Sequence, residues 1–243
     1  MLYLLRFAVN DLRNIIRDRF FLFAFFAYPI LLIVFSRILV HIIEPKIGGI
    51  FQLASEFSLV LMFFVVIIPF IFSFITAFLI LDERDEHLLT VLRVMPISRT
   101  SFLAFRMFFM LFFSFIVLLI FPPLSGLVNM TEFSYLSYIP VALLFALFTP
   151  VASLFVTSFA TNKVQAFAIF KIGGSVFLIP IFAFLLNLGN LKWIFSPVPT
   201  YWSLLTLDNV LKNGSVDVIY LAIGFVYHLI LIAVLFHIFN KKY

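Results

Sequence analysis

Residues 57–81 read FSLVLMFFVVIIPFIFSFITAFLIL, with no charged side chain among them. As a helix such a run is long enough to cross the roughly 30 Å hydrocarbon core of a bilayer. Counting all segments of this kind gives six, at about 20–40, 57–81, 102–121, 138–160, 165–187 and 218–239. A water-soluble fold cannot hide them, because 65% of the 243 residues are hydrophobic, 11% are charged and 37 are Phe. The solvent is therefore lipid, where each spanning segment must satisfy its own backbone groups, so the expected fold is an all-α bundle of six transmembrane helices. We read residues 1–243 as a single domain. Prolines 29, 69, 140, 150 and 180 fall inside the spans and are expected to be packing kinks.

The Lys and Arg residues set the orientation. Arg6, Arg13, Arg17, Arg19, Arg84, Arg93, Arg99, Lys163, Lys241 and Lys242 fall on one side, against Lys46, Lys192 and Lys212 on the other. Both ends of the chain are accordingly expected in the cytoplasm of a multi-pass protein of a prokaryotic cell membrane. The formal net charge of +5 follows from these anchors, so nucleic acid is not an expected partner. With no cysteine, disulfides and thiol chemistry are excluded.

Before the first span, Leu5, Ala8, Val9, Leu12, Ile15 and Ile16 recur at helical spacing, while Arg6, Asn10, Arg13 and Arg17 take the other side. Residues 1–19 thus predict an amphipathic helix lying in the headgroup layer with its arginines toward anionic lipid. Between Asn187 and Asp217, Trp193, Tyr201 and Trp202 alternate with Leu204, Leu205 and Leu207. Trp and Tyr favour the interface, so this stretch predicts one or two short half-buried helices on the outer side before the last span.

Signatures of catalysis are sparse. There is no GxxxxGK[ST], so this chain has no P-loop of its own for ATP, and no HExxH. No metal site or resident cofactor is expected. Ser175 and His228 are the one pair that would suit an intramembrane hydrolase. No span carries a central Asp or Glu, which argues against proton or sodium coupling. Arg37, Arg106 and Lys171 are the charges inside the spans, each within about two turns of a predicted end, and are expected to snorkel outward.

The loop after the second span, LDERDEHLLTVLRVMPISRT at 81–100, concentrates four of the eleven acidic residues. After these acids, Leu88, Val91, Leu92 and Met95 fall on one side of a helix of about three turns that Pro96 stops. Acids at the helix start suit its dipole but are repelled by anionic lipid. The apolar side is therefore expected to fill a groove on a soluble protein.

The order carried by Glu83, Arg84, Asp85, Leu89, Leu92, Pro96, Ser98 and Arg99 resembles the cytoplasmic loop of ABC-2 type transporter permeases, closest to the fluoroquinolone-type drug-export branch. At 87–90 the chain reads His-Leu-Leu-Thr where the wider family often has Gly-Thr-Leu-Glu. The resemblance implies a type V exporter plan: an interfacial N-terminal helix, six spans, a short coupling helix in the loop 82–100, and a helical outer segment before span six. It implies a separate ATPase subunit holding ATP and Mg, and a second permease, identical or homologous, completing the path. Glu83 and Arg84 would anchor the coupling helix to span two and the interfacial helix, with Asp85 and Pro96 at its ends. Leu88, Leu92 and Met95 would enter the ATPase cleft. The implied cargo is an amphipathic drug, antimicrobial or lipid-like molecule. A permease for a biogenesis cargo such as haem, polysaccharide or lipid, or a non-transporting membrane assembly protein, shares the same plan.

Overall fold

The computed structural model describes residues 11–47, 56–85, 99–186 and 188–242. The described residues are helical with no strand. Six helices are long and apolar enough to cross a membrane: Arg19–Lys46, Phe57–Asp85, Thr100–Ser125, Tyr135–Phe159, Lys163–Leu185 and Val218–Lys242. We call them spans one to six. Most run a few residues beyond the apolar segments of the sequence, because a helix does not stop where hydrophobicity does. Its own hydrogen bonds carry it into the flanking polar residues until a cap or a proline intervenes.

Span one begins at a cap. Asp18 Oδ1 accepts from the backbone N–H of Phe20 at 2.8 Å and of Phe21 at 3.3 Å, separating the span from a preceding helix over 11–17. The span contains two π-helical turns, Phe23–Ala27 and Leu39–Ile43. Each ends just before a proline, Pro29 and Pro45. A proline ring clashes with the carbonyl four residues earlier, and a widened turn relieves the clash without breaking the helix. Span four meets the same problem at Pro150 and breaks, leaving Tyr135–Ala146 and Phe148–Phe159 on either side of Leu147. At Pro69 of span two, Thr149 Oγ1 of span four donates to the Pro69 carbonyl at 3.4 Å, and Ser73 and Thr76 of span two donate to carbonyls of their own helix. Hydroxyls thus supply bonds around a mid-span proline, as lipid cannot.

Spans two and four form the centre, with 72% of the most apolar stretch of each buried, against 17% for spans five and six. Lipid is as apolar as leucine, so shape and ring geometry hold the spans together rather than hydrophobicity. Span five is attached to span two by ring contacts: Phe70 with Phe170 at 5.4 Å, Phe74 with Phe170 at 5.1 Å, and Phe74 with Phe167 at 6.1 Å. Edge-to-face pairs of this kind contribute about 0.5–1.5 kcal/mol each.

Span six approaches closely at Gly224, where an added Cβ would lie 2.7 Å from Leu144 Cδ2 and 3.3 Å from Trp202 Cβ. Gly224→Val is therefore expected to cost about 1–3 kcal/mol through overpacking, read as a lower melting temperature of the purified protein. An unchanged melting temperature would show that span six can move away freely.

The stretch before span six forms a 3-10 helix, Gly189–Phe195, and an α-helix, Pro199–Asn213, which ends at Gly214 with a left-handed φ of 66°. The sequence predicts half-buried helices here. The second is buried more deeply, with Tyr201, Leu204, Leu207 and Val210 enclosed. Some of its polar groups find carbonyl partners: Thr200 Oγ1 donates to Phe177 O at 2.6 Å and Trp202 Nε1 to Ser196 O at 3.0 Å, whereas the Tyr201 hydroxyl and Ser203 Oγ are buried without one. It packs against spans two, four and six and so closes one end of the bundle.

Candidate functional site

The opposite end gathers the charges. Asp11 and Arg106 are the fully buried Asp, Glu, Lys or Arg side chains among the described residues, at 2% and 1% exposure. The Arg106 guanidinium makes two forks. Nε and Nη2 donate to Asp11 at 3.1 and 2.5 Å, while Nη2 donates to Glu83 Oε1 at 2.6 Å and Nη1 to Glu83 Oε2. The Phe102 ring, one turn earlier, lies 4.9 Å from its Cζ. A planar guanidinium with its donors in a fixed fork suits this double bidentate geometry, and an ammonium does not.

The expectation that Arg106 snorkels outward is thus corrected. Two carboxylates reach it inside the protein, so its charge has no need of water. Arg37 is likewise engaged, with Nε donating to Leu124 O at 2.5 Å beside Gly126, whose φ is +76°. Lys171 lies eight residues past the start of its helix, roughly two turns in. That is deeper than the apolar run alone implies, because the helix begins at Lys163.

The end of span two is the hub of this charged layer. Three consecutive residues point about 100° apart around the helix, so each meets a different neighbour. Asp82 pairs with Lys163 of span five. Glu83 meets Arg106 of span three and, through it, Asp11 of the first helix. Arg84 donates to Ala160 O at 3.0 Å and to Thr161 O, at the end of span four. Lys242 Nζ adds a bond to Ser158 O at 2.9 Å, bringing the end of span six to the same layer.

Of the residues singled out in the sequence, Glu83 is joined to the first helix through Arg106, whereas Arg84 turns to span four. Asp85, Arg13 and Arg17 are exposed. On the helix over 11–17, Ile15 is buried but Ile16 is 55% exposed, and Asp11 shares the buried side. That face is thus partly ionic. Arg6, Leu88, Leu92, Met95 and Pro96 lie outside the described residues. Asp11 and Arg106 were missed as a pair because 95 positions separate them. Their signal was one of opposite charges, each placed where its surroundings are apolar. The pairing suggested for an enzyme is not made: Ser175 Oγ donates to Lys171 O at 3.3 Å, and His228 is buried with Nδ1 on Gly224 O and no partner for Nε2. No group of acids and histidines suited to a metal occurs among the described residues.

Further into the bundle, spans one, two and five frame a half-open cavity of about 510 Å³ lined by Phe20, Phe23, Phe70, Phe74, Phe167 and Phe177, with Tyr28. Of the described residues lining it, Tyr28 alone has a polar side-chain atom. A volume of this order with mostly apolar walls is typical of a small-molecule site. On the other side of span five a second apolar cavity of about 560 Å³ lies against spans four and six.

The fluoroquinolones export permease protein Rv2686c of Mycobacterium tuberculosis strain H37Rv is 26% identical over 98% of this chain and 94% of its own length. The fluoroquinolones export permease protein MT2760 of strain CDC 1551 / Oshkosh matches to the same extent. No solved structure matches the chain. Residues 11–236 match the family described as fluoroquinolones export permease protein Rv2686c-like, a span that includes Asp11, Glu83 and Arg106. The chain belongs to this family of export permeases, as a six-span membrane protein.

Proposed function

We propose that this chain is the permease subunit of an ATP-driven exporter, coupled to a separate ATPase through the loop 82–100 and working as a pair of permease chains. ATP and Mg reside on the ATPase, and the charged layer faces the cytoplasm. The observation that carries this reading is the position of the Arg106 cluster. Glu83 and Arg106 stand on the two helices that flank the proposed coupling segment, and Arg106 joins Glu83 to Asp11 of the first helix.

A push on a short helix moves spans only if its two arms do not simply splay. Two charge-assisted forks across the arms resist that motion. Asp82 and Arg84 extend the connection to spans five and four, so a displacement at the loop reaches four spans. The apolar walls of the cavity between spans one, two and five suit an amphipathic, aromatic cargo, in keeping with the drug class in the names of the relatives.

Co-purification tests the proposal. Tagged full-length chain, extracted from its native membrane in mild detergent, is expected to retain a P-loop ATPase in stoichiometric amount. Cells lacking the chain are expected to retain more of a fluorescent fluoroquinolone. Failure to recover any ATPase would overturn the coupling, and unchanged drug retention would overturn the cargo class.

A further inference from the structure

Lys171 is a cation in an unusual place. It sits eight residues inside span five, about 12 Å along the axis from Lys163, and it is exposed. Among the described residues no carboxylate pairs with it: the ion pairs there belong to Asp11, Glu83, Asp82 and Asp208. An ammonium at such depth is costly against lipid tails, and in membrane proteins it marks a ligand, an ion path or a partner.

Its neighbours on the helix indicate which. Residues three, four and seven positions apart share a helix face. Phe167, Gly174 and Leu178 stand at those spacings from Lys171, and all three line the aromatic cavity. Phe167 and Phe20, at its edge, are 57% and 52% exposed; Lys171 does not itself line the cavity, but it stands one helical turn from Phe167, beside this open aromatic surface. Across the cavity, Tyr28 brings a hydroxyl to otherwise apolar walls. One cation beside a greasy chamber of small-molecule size is the complement of a molecule with a flat apolar body and one anionic group.

We propose that Lys171 is the anion-recognition residue of this cavity, and that the cavity takes aromatic carboxylates, body among the phenylalanines and carboxylate on the ammonium. This deepens the exporter reading and rests on it for the biological role, but the binding itself does not require an ATPase. Gly174 keeps the chamber open, since an added Cβ there would lie 2.8 Å from Phe70 Cζ.

The test uses the full-length chain in nanodiscs without any ATPase, with a fluoroquinolone free acid and its methyl ester as probes. The unmodified protein is expected to favour the acid by roughly tenfold or more, the scale of a charge-assisted hydrogen bond. Lys171→Gln is expected to abolish that preference while ester binding persists, and Lys171→Arg to retain it. Gly174→Val, which narrows the chamber without touching the charge, is expected to weaken acid and ester alike. An acid-to-ester ratio unchanged by Lys171→Gln overturns the proposal, leaving a lysine that snorkels to headgroups. A Lys171→Gln variant that changes only the oligomeric state overturns it in favour of a contact between copies. Absence of binding of either probe overturns it too, and a recovered ATPase would then still stand for the permease reading.

Discussion

Arg106→Met is expected to lower the stability of the protein by about 3–5 kcal/mol, the cost of leaving buried charge without its partner. The substitution keeps an unbranched apolar stem but removes the guanidinium head and leaves Asp11 and Glu83 facing each other, the first of them fully enclosed. Their mutual repulsion adds to their lost hydration. The loss should appear as a fall in melting temperature and in the monodisperse fraction of detergent-extracted protein. Removing one acid is expected to do less. Asp11→Asn or Glu83→Gln leaves Arg106 balanced by the remaining carboxylate, at a cost of about 1–3 kcal/mol.

The triple variant Asp11→Asn, Glu83→Gln, Arg106→Met removes all three charges and is expected to recover most of the stability lost by Arg106→Met alone. Buried ion pairs replaced as a set by neutral residues are often tolerated. The stable triple variant then separates structure from mechanism. Drug export is expected to remain impaired in it, because the two forks between the arms are gone. Full export by the triple variant would show that the cluster serves folding alone.

Leu92→Asp is expected to weaken retention of the ATPase by at least roughly a hundredfold. At helical spacing Leu88, Leu92 and Met95 would share one side of the proposed coupling helix, with Leu92 the middle one in sequence. Small sets of central apolar anchors dominate such contacts, and an unpaired carboxylate in their groove forfeits both packing and solvation. Leu92→Met, similar in volume and apolar, is the control and should change little. The comparison is a pull-down with the ATPase quantified, alongside melting temperature of the permease itself, which neither change should move. An ATPase that stays bound to Leu92→Asp would place the groove contact on other residues.

The two predictions probe opposite ends of the relation between sequence and structure. The proposed coupling segment rests on local order alone, namely acids, a short run of apolar residues at helical spacing, a proline and a pattern resembling ABC-2 permeases, and it lies outside the described residues. The Arg106 cluster does not rest on local order. Lys163 with Asp82, Lys242 with the Ser158 carbonyl, and Arg84 with Ala160 also join residues 76 to 84 positions apart. Sequence spacing says nothing about such distances until the helices are packed.

The six spans and their approximate ends follow from the sequence by itself, because in lipid an apolar run of some twenty residues has helix as its one hydrogen-bonded solution. Where π turns and the break in span four fall also traces to prolines visible in the chain. Which helices form the centre was decided only by tertiary structure. In a soluble protein the apolar stripe reveals the inward face, but in lipid both faces are apolar, so spans two and four carry no mark of their central place. For the same reason Arg106 and Lys171 read alike in sequence, as lone cations inside greasy runs. Packing alone distinguished them, enclosing one between Asp11 and Glu83 and leaving the other exposed on span five, on the helix face that carries Phe167 and Gly174.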